Sequence, residues 1–116
     1  MNSIKTQLLE RLDMIRNLGE NHGGEGEKEP NQKTFDNARE VIESHYIGKP
    51  FAITVSDRGE AVFEFHGNGK YEYADVTFLD DNSVSCYKKG LGDESEQFDT
   101  HYTNAKFVVF LEQLVE

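Results

Sequence analysis

The chain has no tryptophan, one cysteine and two prolines in 116 residues, and its 12 Lys and Arg are outnumbered by 22 Asp and Glu. Each scarcity excludes something. A lone Cys86 leaves no intrachain disulfide and fits a reducing, cytoplasmic setting, where a buried thiol is the ordinary state. No stretch approaches the roughly 18 consecutive apolar residues of a membrane span. The first helical segment carries Lys5, Glu10, Arg11, Asp13 and Arg16, so a secretory signal is not expected either. Basic residues are few and unclustered, which disfavours nucleic acid, because phosphate recognition needs massed Lys and Arg.

What is present is aromatic and acidic. Hydrophobic residues make up 36%, with 8 Phe and 5 Tyr. At this length that suffices for one core without metal or disulfide, so residues 1–116 read as a single domain. The net charge of −10 favours solubility and steers the chain toward basic partners. Seven of those ten charges fall between Pro50 and Tyr102.

Residues Ser3 to Leu18 place Ile4, Leu8, Leu12, Ile15 and Leu18 at helical spacing. Asn2 or Ser3 is the expected cap, and Gly19 the stop. Residues 19–30, rich in Gly and Glu and free of apolar side chains, read as a flexible loop. Such a hinge would let the first helix pack on its own sheet or on another chain's. Asn31 to Tyr46 is a second helix with Phe35, Ala38, Val41, Ile42 and Tyr46 on its apolar face. Asn31 or Thr34 caps it, and Gly48 and Pro50 end it.

Strands then follow in quick succession. Phe51, Ile53 and Val55 alternate with polar or small residues up to the turn Asp57-Arg58-Gly59, and Ala61, Phe63 and Phe65 alternate up to Gly67-Asn68-Gly69. A third strand spans about Tyr71 to Leu79, and Val84 and Cys86 mark a fourth beyond Asp80-Asp81-Asn82. A weak fifth lies near Gln97 to Tyr102. Connections this short require antiparallel neighbours, hence a meander. Thr103 is the expected cap of a last helix holding Phe107, Phe110, Leu111 and Leu114. The class is α+β, in the order α-α-β-β-β-β-β-α, with an antiparallel meander of four to five strands and helices on one face.

Leu12, Gly24-Glu25-Gly26, Ala38, Val41-Ile42, Pro50, Asp57, Gly59 and the strand Ala61-Val62-Phe63-Glu64-Phe65 carry a resemblance. From Leu8 to about Tyr87 the chain resembles a broad group of small uncharacterised bacterial proteins. Their pattern is an amphipathic helix, a Gly-rich segment often written Trp-Asp-Gly-x-Gly, a second helix, a Pro-led strand and an Asp-Gly turn. Asn21 and His22 stand where that Trp would be. Members of such groups are often found on mobile elements and beside toxin-like genes, so the resemblance implies an accessory, antitoxin-like or immunity-like role.

Few residues offer chemistry. His22, His45, His66 and His101 show no close ligand pair of the zinc kind. Only His66 and His101 lie on strands, where a cross-strand contact would bring them together. The turns Asp80-Asp81-Asn82 and Asp93-Glu94-x-Glu96 lack the calcium-loop layout and suit hairpins instead. Gly67-x-Gly69 leads into a strand, where phosphate binding needs a helix start. No metal and no cofactor are expected. Glu64 and Asp75 are a candidate acid–base pair with no nucleophile or oxyanion donor near them in sequence, so an enzyme is the lesser expectation.

The pleat gives the strongest surface signal. If Phe51, Ile53, Val55, Ala61, Phe63, Phe65, Val76, Phe78, Val84 and Cys86 face the helices, the other face shows Thr54, Val62, Glu64, Tyr71, Tyr73, Asp75, Ser85 and Tyr87. Tyrosines among carboxylates suit a protein-binding surface, although Tyr also simply favours strands. The expected function is therefore a non-enzymatic interaction module. Glu64, Tyr71, Tyr73, Asp75 and Tyr87 would contact a protein partner, a basic one for preference, and the same face or the first helix offers a homodimer contact. The rival is a ligand pocket between sheet and helices lined by Tyr46, Phe63 and Phe107.

Overall fold

The computed structural model describes residues 3–19, 26, 28–45 and 51–115. Asn2, His22, Tyr46, Gly48, Pro50 and residues 20–25 and 27 of the Gly/Glu-rich loop fall outside these residues. The elements are α1 (Ile4–Arg16), α2 (Gln32–Ser44), β1 (Ala52–Val55), β2 (Ala61–His66), β3 (Tyr73–Phe78), β4 (Ser83–Lys89), β5 (Ser95–His101) and α3 (Ala105–Val115). The five strands lie side by side in sequence order, every pair antiparallel. The class is α+β with a β-meander. No helix among the described residues is long and apolar enough to cross a membrane.

Helix α1 starts where Ser3 accepts a hydrogen bond from the Thr6 amide at 3.1 Å. Leu8, Leu12 and Ile15 are buried in the same core as the sheet, so α1 packs on its own chain. Leu18, expected on that stripe, lies past the helix and is 39% exposed. Polar ties hold α1 to α2: Arg16 donates to the Asp36 carboxylate at 2.6 Å and to the Gln32 side chain at 2.8 Å. Lys5 donates to the Glu43 carbonyl at 2.8 Å.

Asn31, not Thr34, caps α2, its side chain accepting from the Lys33 and Thr34 amides. Thr34 does something else. Fully buried, its hydroxyl donates to the Asn31 carbonyl (2.8 Å) and accepts from the Ala61 amide (3.1 Å), fastening α2 to the start of β2. Thr34→Val is expected to cost about 1–3 kcal/mol, because it strands a buried N–H. Urea unfolding measures this, and an unchanged midpoint would mean that Ala61 finds another partner.

Pleat alternation buries one side of the sheet. Ile53, Phe63, Val76 and Cys86 form one inward row, and Ala61, Phe78 and Val84 belong to the next. Phe63 contacts Phe51 and Phe78, and Phe78 contacts Phe107 of α3 edge-on at 6.3 Å. Cys86 is part of this core, and burial, followed by the charges of Asp99 and Asp75, pushes its thiol up to about 12. A thiol held so far from its thiolate is a weak nucleophile. At α3 the cap is Asn104, whose side chain accepts from the Lys106 amide at 2.8 Å. Thr103, the expected cap, instead contacts the His101 ring nitrogen.

Candidate protein-binding face

The register assembles the outer face row by row. Ala52, Glu64, Asp75, Tyr87 and Gln97 stand opposite one another across all five strands. A second row runs Thr54, Val62, Thr77, Ser85 and Asp99, and a third begins with His66, Tyr73 and Lys89. The buried core takes only the inward set, and none of these residues belongs to it. Val62 is nonetheless only 9% exposed.

Glu64, Tyr73, Asp75 and Tyr87 are thus brought together as expected. The Tyr73 and Tyr87 rings lie 6.5 Å apart at 49°, and His66 lies 6.0 Å from Tyr73, so an aromatic line runs beside the carboxylates. Burial first, then the charges of Asp75 and Glu64, push the Tyr73 hydroxyl well above its ordinary range. It stays protonated beside the Asp75 carboxyl. Partial burial raises the Asp75 carboxyl, against the lowering effect of the neighbouring Tyr73 hydroxyl. Glu64 and Asp75 face each other as direct register partners, and among the described residues neither has an ion-pair partner. Lys89, on the same face opposite Tyr73, is engaged by Glu72 at 2.6 Å.

Tyr71 is a correction. It is 7% exposed, belongs to the core, and donates its hydroxyl hydrogen bond to the Leu114 carbonyl at 3.0 Å. The cause is a bulge: Glu72 donates its N–H to the Lys89 carbonyl while Tyr73 is already the register partner of Lys89. Two residues against one shift the alternation by one place. Tyr71 turns inward and Glu72 outward, and β3 begins at Tyr73 rather than Tyr71. Strict alternation over Tyr71-Glu72-Tyr73 hides this. The only hint in the sequence is the glycine-rich turn just before it.

Other expected sites fare differently. His66 on β2 and His101 on β5 are separated by two intervening strands, so they do not meet, and no group of metal-binding side chains occurs among the described residues. In the Asp80-Asp81-Asn82 turn, Asp81 accepts from the Ser83 amide and hydroxyl. Asn82 adopts a left-handed φ of 68° and accepts from Asn37 of α2 at 3.0 Å. These carboxylates and amides serve the turn. Phe63 and Phe107 are fully buried in ring contacts, and Tyr46 lies outside the described residues. A groove of about 500 Å³ sits instead at the sheet end beside Tyr71, between Lys70, Lys88, Glu94, Glu96 and Gln113. Sequence reading missed His66 and the Glu72–Lys89 pair as members of the outer face. No protein-family model, curated protein or solved structure matches the chain.

Proposed function

We propose that this protein is a non-enzymatic interaction module that binds a basic protein partner on the outer face of its sheet, in an accessory, antitoxin-like or immunity-like role. The observation that carries this reading is the register pair Glu64–Asp75, flanked by Tyr73 and Tyr87 on a face that takes no part in the core. Like charges directly opposed across strands destabilise a sheet, and among the described residues neither carboxylate of this pair forms an ion pair. A basic partner would supply the missing charge, and the half-buried tyrosines would supply contact area at low entropic cost.

Affinity capture tests it, with wild-type protein and a Tyr73→Ala/Asp75→Lys variant compared side by side. The expected result is a basic protein retained by the first and lost by the second, with both folded by circular dichroism. Equal retention would reject this face.

The same pair predicts a trade between stability and binding. The folded Asp75 carboxyl holds its proton more tightly than the unfolded one. Its contribution therefore favours folding in acid and is lost as pH rises from the ordinary value near 3.8 through the folded value. Asp75→Asn is expected to raise stability at neutral pH by up to about 1 kcal/mol while weakening partner capture. The gain should vanish near pH 3, and thermal melts across pH 3 to 7 read both arms. A variant less stable at neutral pH would show that the ionised carboxylate supports the fold.

A further inference from the structure

The meander ends on an open edge. β5 pairs with β4 on one side and with no strand on the other among the described residues. The ladder identifies its unused backbone groups. Gly90 donates to the Glu94 carbonyl at 3.0 Å and Tyr102 to the Asn82 carbonyl at 3.1 Å, at the two ends of the β4–β5 register. Antiparallel pairs alternate between those that exchange both bonds and those that exchange none. The even-numbered residues of β5 therefore bond to β4, and Gln97 and Asp99 turn N–H and C=O toward the open side. At His101 the carbonyl is already taken by the Asn104 amide at 2.9 Å. The opposite edge offers less, because β1 has only four residues and α1 packs against it.

Two further features say what fits there. Below the edge, between β5 and α3, runs a groove of about 290 Å³ lined by Glu96, Ala105, Lys106, Val109, Phe110 and Gln113. Val109 is 51% exposed, and Lys106 holds its ammonium 4.2 Å above the Phe98 ring. Side chains of an added strand that point inward would lie over this groove beside Phe98. Those pointing outward would lie beside Gln97 and Asp99. Glu94, Glu96 and Asp99 make the edge acidic. Two copies pairing through β5 would bring these acids together, whereas a basic strand would be drawn to them.

We propose that β5 is a strand-addition site for an extended segment of a basic partner protein, with apolar residues inward over Val109 and Phe110 and Lys or Arg outward beside Asp99. Main-chain bonds to Gln97 and Asp99 supply affinity, and the alternation supplies specificity. This rests on the basic-partner reading above and adds the route of docking.

The probe is the peptide acetyl-Lys-Val-Lys-Val-Lys-Val-Lys-amide added to the full chain. Amide exchange at Gln97 and Asp99 is expected to slow, and fluorescence anisotropy to report a Kd raised about tenfold or more by Gln97→Pro. That substitution removes only an N–H facing away from β4, so the ladder survives. Two controls hold even if it misfolds: Asp99→Lys, and a peptide N-methylated at alternate residues, both expected to bind at least about tenfold more weakly. Equal binding by the N-methylated peptide, or by the same peptide with Glu in place of Lys, overturns the proposal. So does a dimer of the protein alone that Gln97→Pro dissociates, since a second copy would then occupy the edge. If the peptide ignores β5 while partner capture still depends on Tyr73 and Asp75, only strand addition falls. If it binds β5 while capture ignores Tyr73 and Asp75, only the face reading falls.

Discussion

Phe63→Ala is expected to lower the stability of this protein by about 3–5 kcal/mol. Phe63 is completely buried at the middle of β2, where its ring centroid lies 4.6 Å from that of Phe51 and 4.9 Å from that of Phe78. Phe78 in turn meets Phe107, so one ring joins the residue leading into β1 and the last residue of β3 to the packing of α3. Aromatic pairs of this geometry add about 0.5–1.5 kcal/mol each beyond the area they bury. Truncation also leaves a cavity between rigid strands, where neighbours collapse poorly. Against a total stability of about 5–15 kcal/mol for a domain of this kind, such a loss brings the transition within easy reach of denaturant. Urea unfolding followed by far-UV circular dichroism measures it. A loss under about 1 kcal/mol would show that the ring cluster is not the centre of the core. Partner capture should fall only in proportion to the fraction unfolded, because Val62 and Glu64 on either side of Phe63 reach the outer face through backbone pairing.

Where a period of two or of three and four held without interruption, the elements followed from the residues alone. Ile53, Phe63, Val76 and Cys86 share an inward row because nothing between them breaks the pleat, and Leu8, Leu12 and Ile15 share a helical stripe for the same reason. The failures lie where a backbone irregularity costs little and leaves no compositional mark. The bulge at Glu72–Tyr73 moved Tyr71 from the face to the core, where its hydroxyl gained the Leu114 carbonyl. Asn104 is the better cap by type, but the two lie side by side, and in the structure Thr103 turns to His101 while Asn104 caps the helix. The outer face was legible in four of its five expected residues, since Glu64, Tyr73, Asp75 and Tyr87 all lie inside regular strands. The open backbone of β5 was not, because which amides face outward depends on register rather than residue type.

Gly59→Ala is expected to cost about 3 kcal/mol. Part of this is conformational: Gly59 has a φ of 83°, a left-handed setting that costs a residue with a Cβ about 1–2 kcal/mol. The rest is contact. A Cβ built there would stand 2.1 Å from the Glu29 carbonyl oxygen, and backbone cannot swing aside as a side chain does. The approach is close because the β1–β2 turn docks the segment leading into α2. Asn31 donates to the Gly59 carbonyl at 2.7 Å, and Lys28 to the Asp57 carbonyl at 3.2 Å. Asn31 is also the cap of α2, so displacing the turn disturbs the helix start and the Thr34–Ala61 bond beside it. Gly69 provides the control. Its φ of 92° is equally left-handed, but a Cβ there meets nothing within 4 Å, so Gly69→Ala should cost only the conformational share, about 1–2 kcal/mol. Paired thermal or urea unfolding of the two variants isolates the docking contact as their difference. Equal losses would mean that the turn does not hold the entry to α2, and that the placement of α2 over β2 and β3 comes from its apolar face and from its Thr34 and Asn37 bonds.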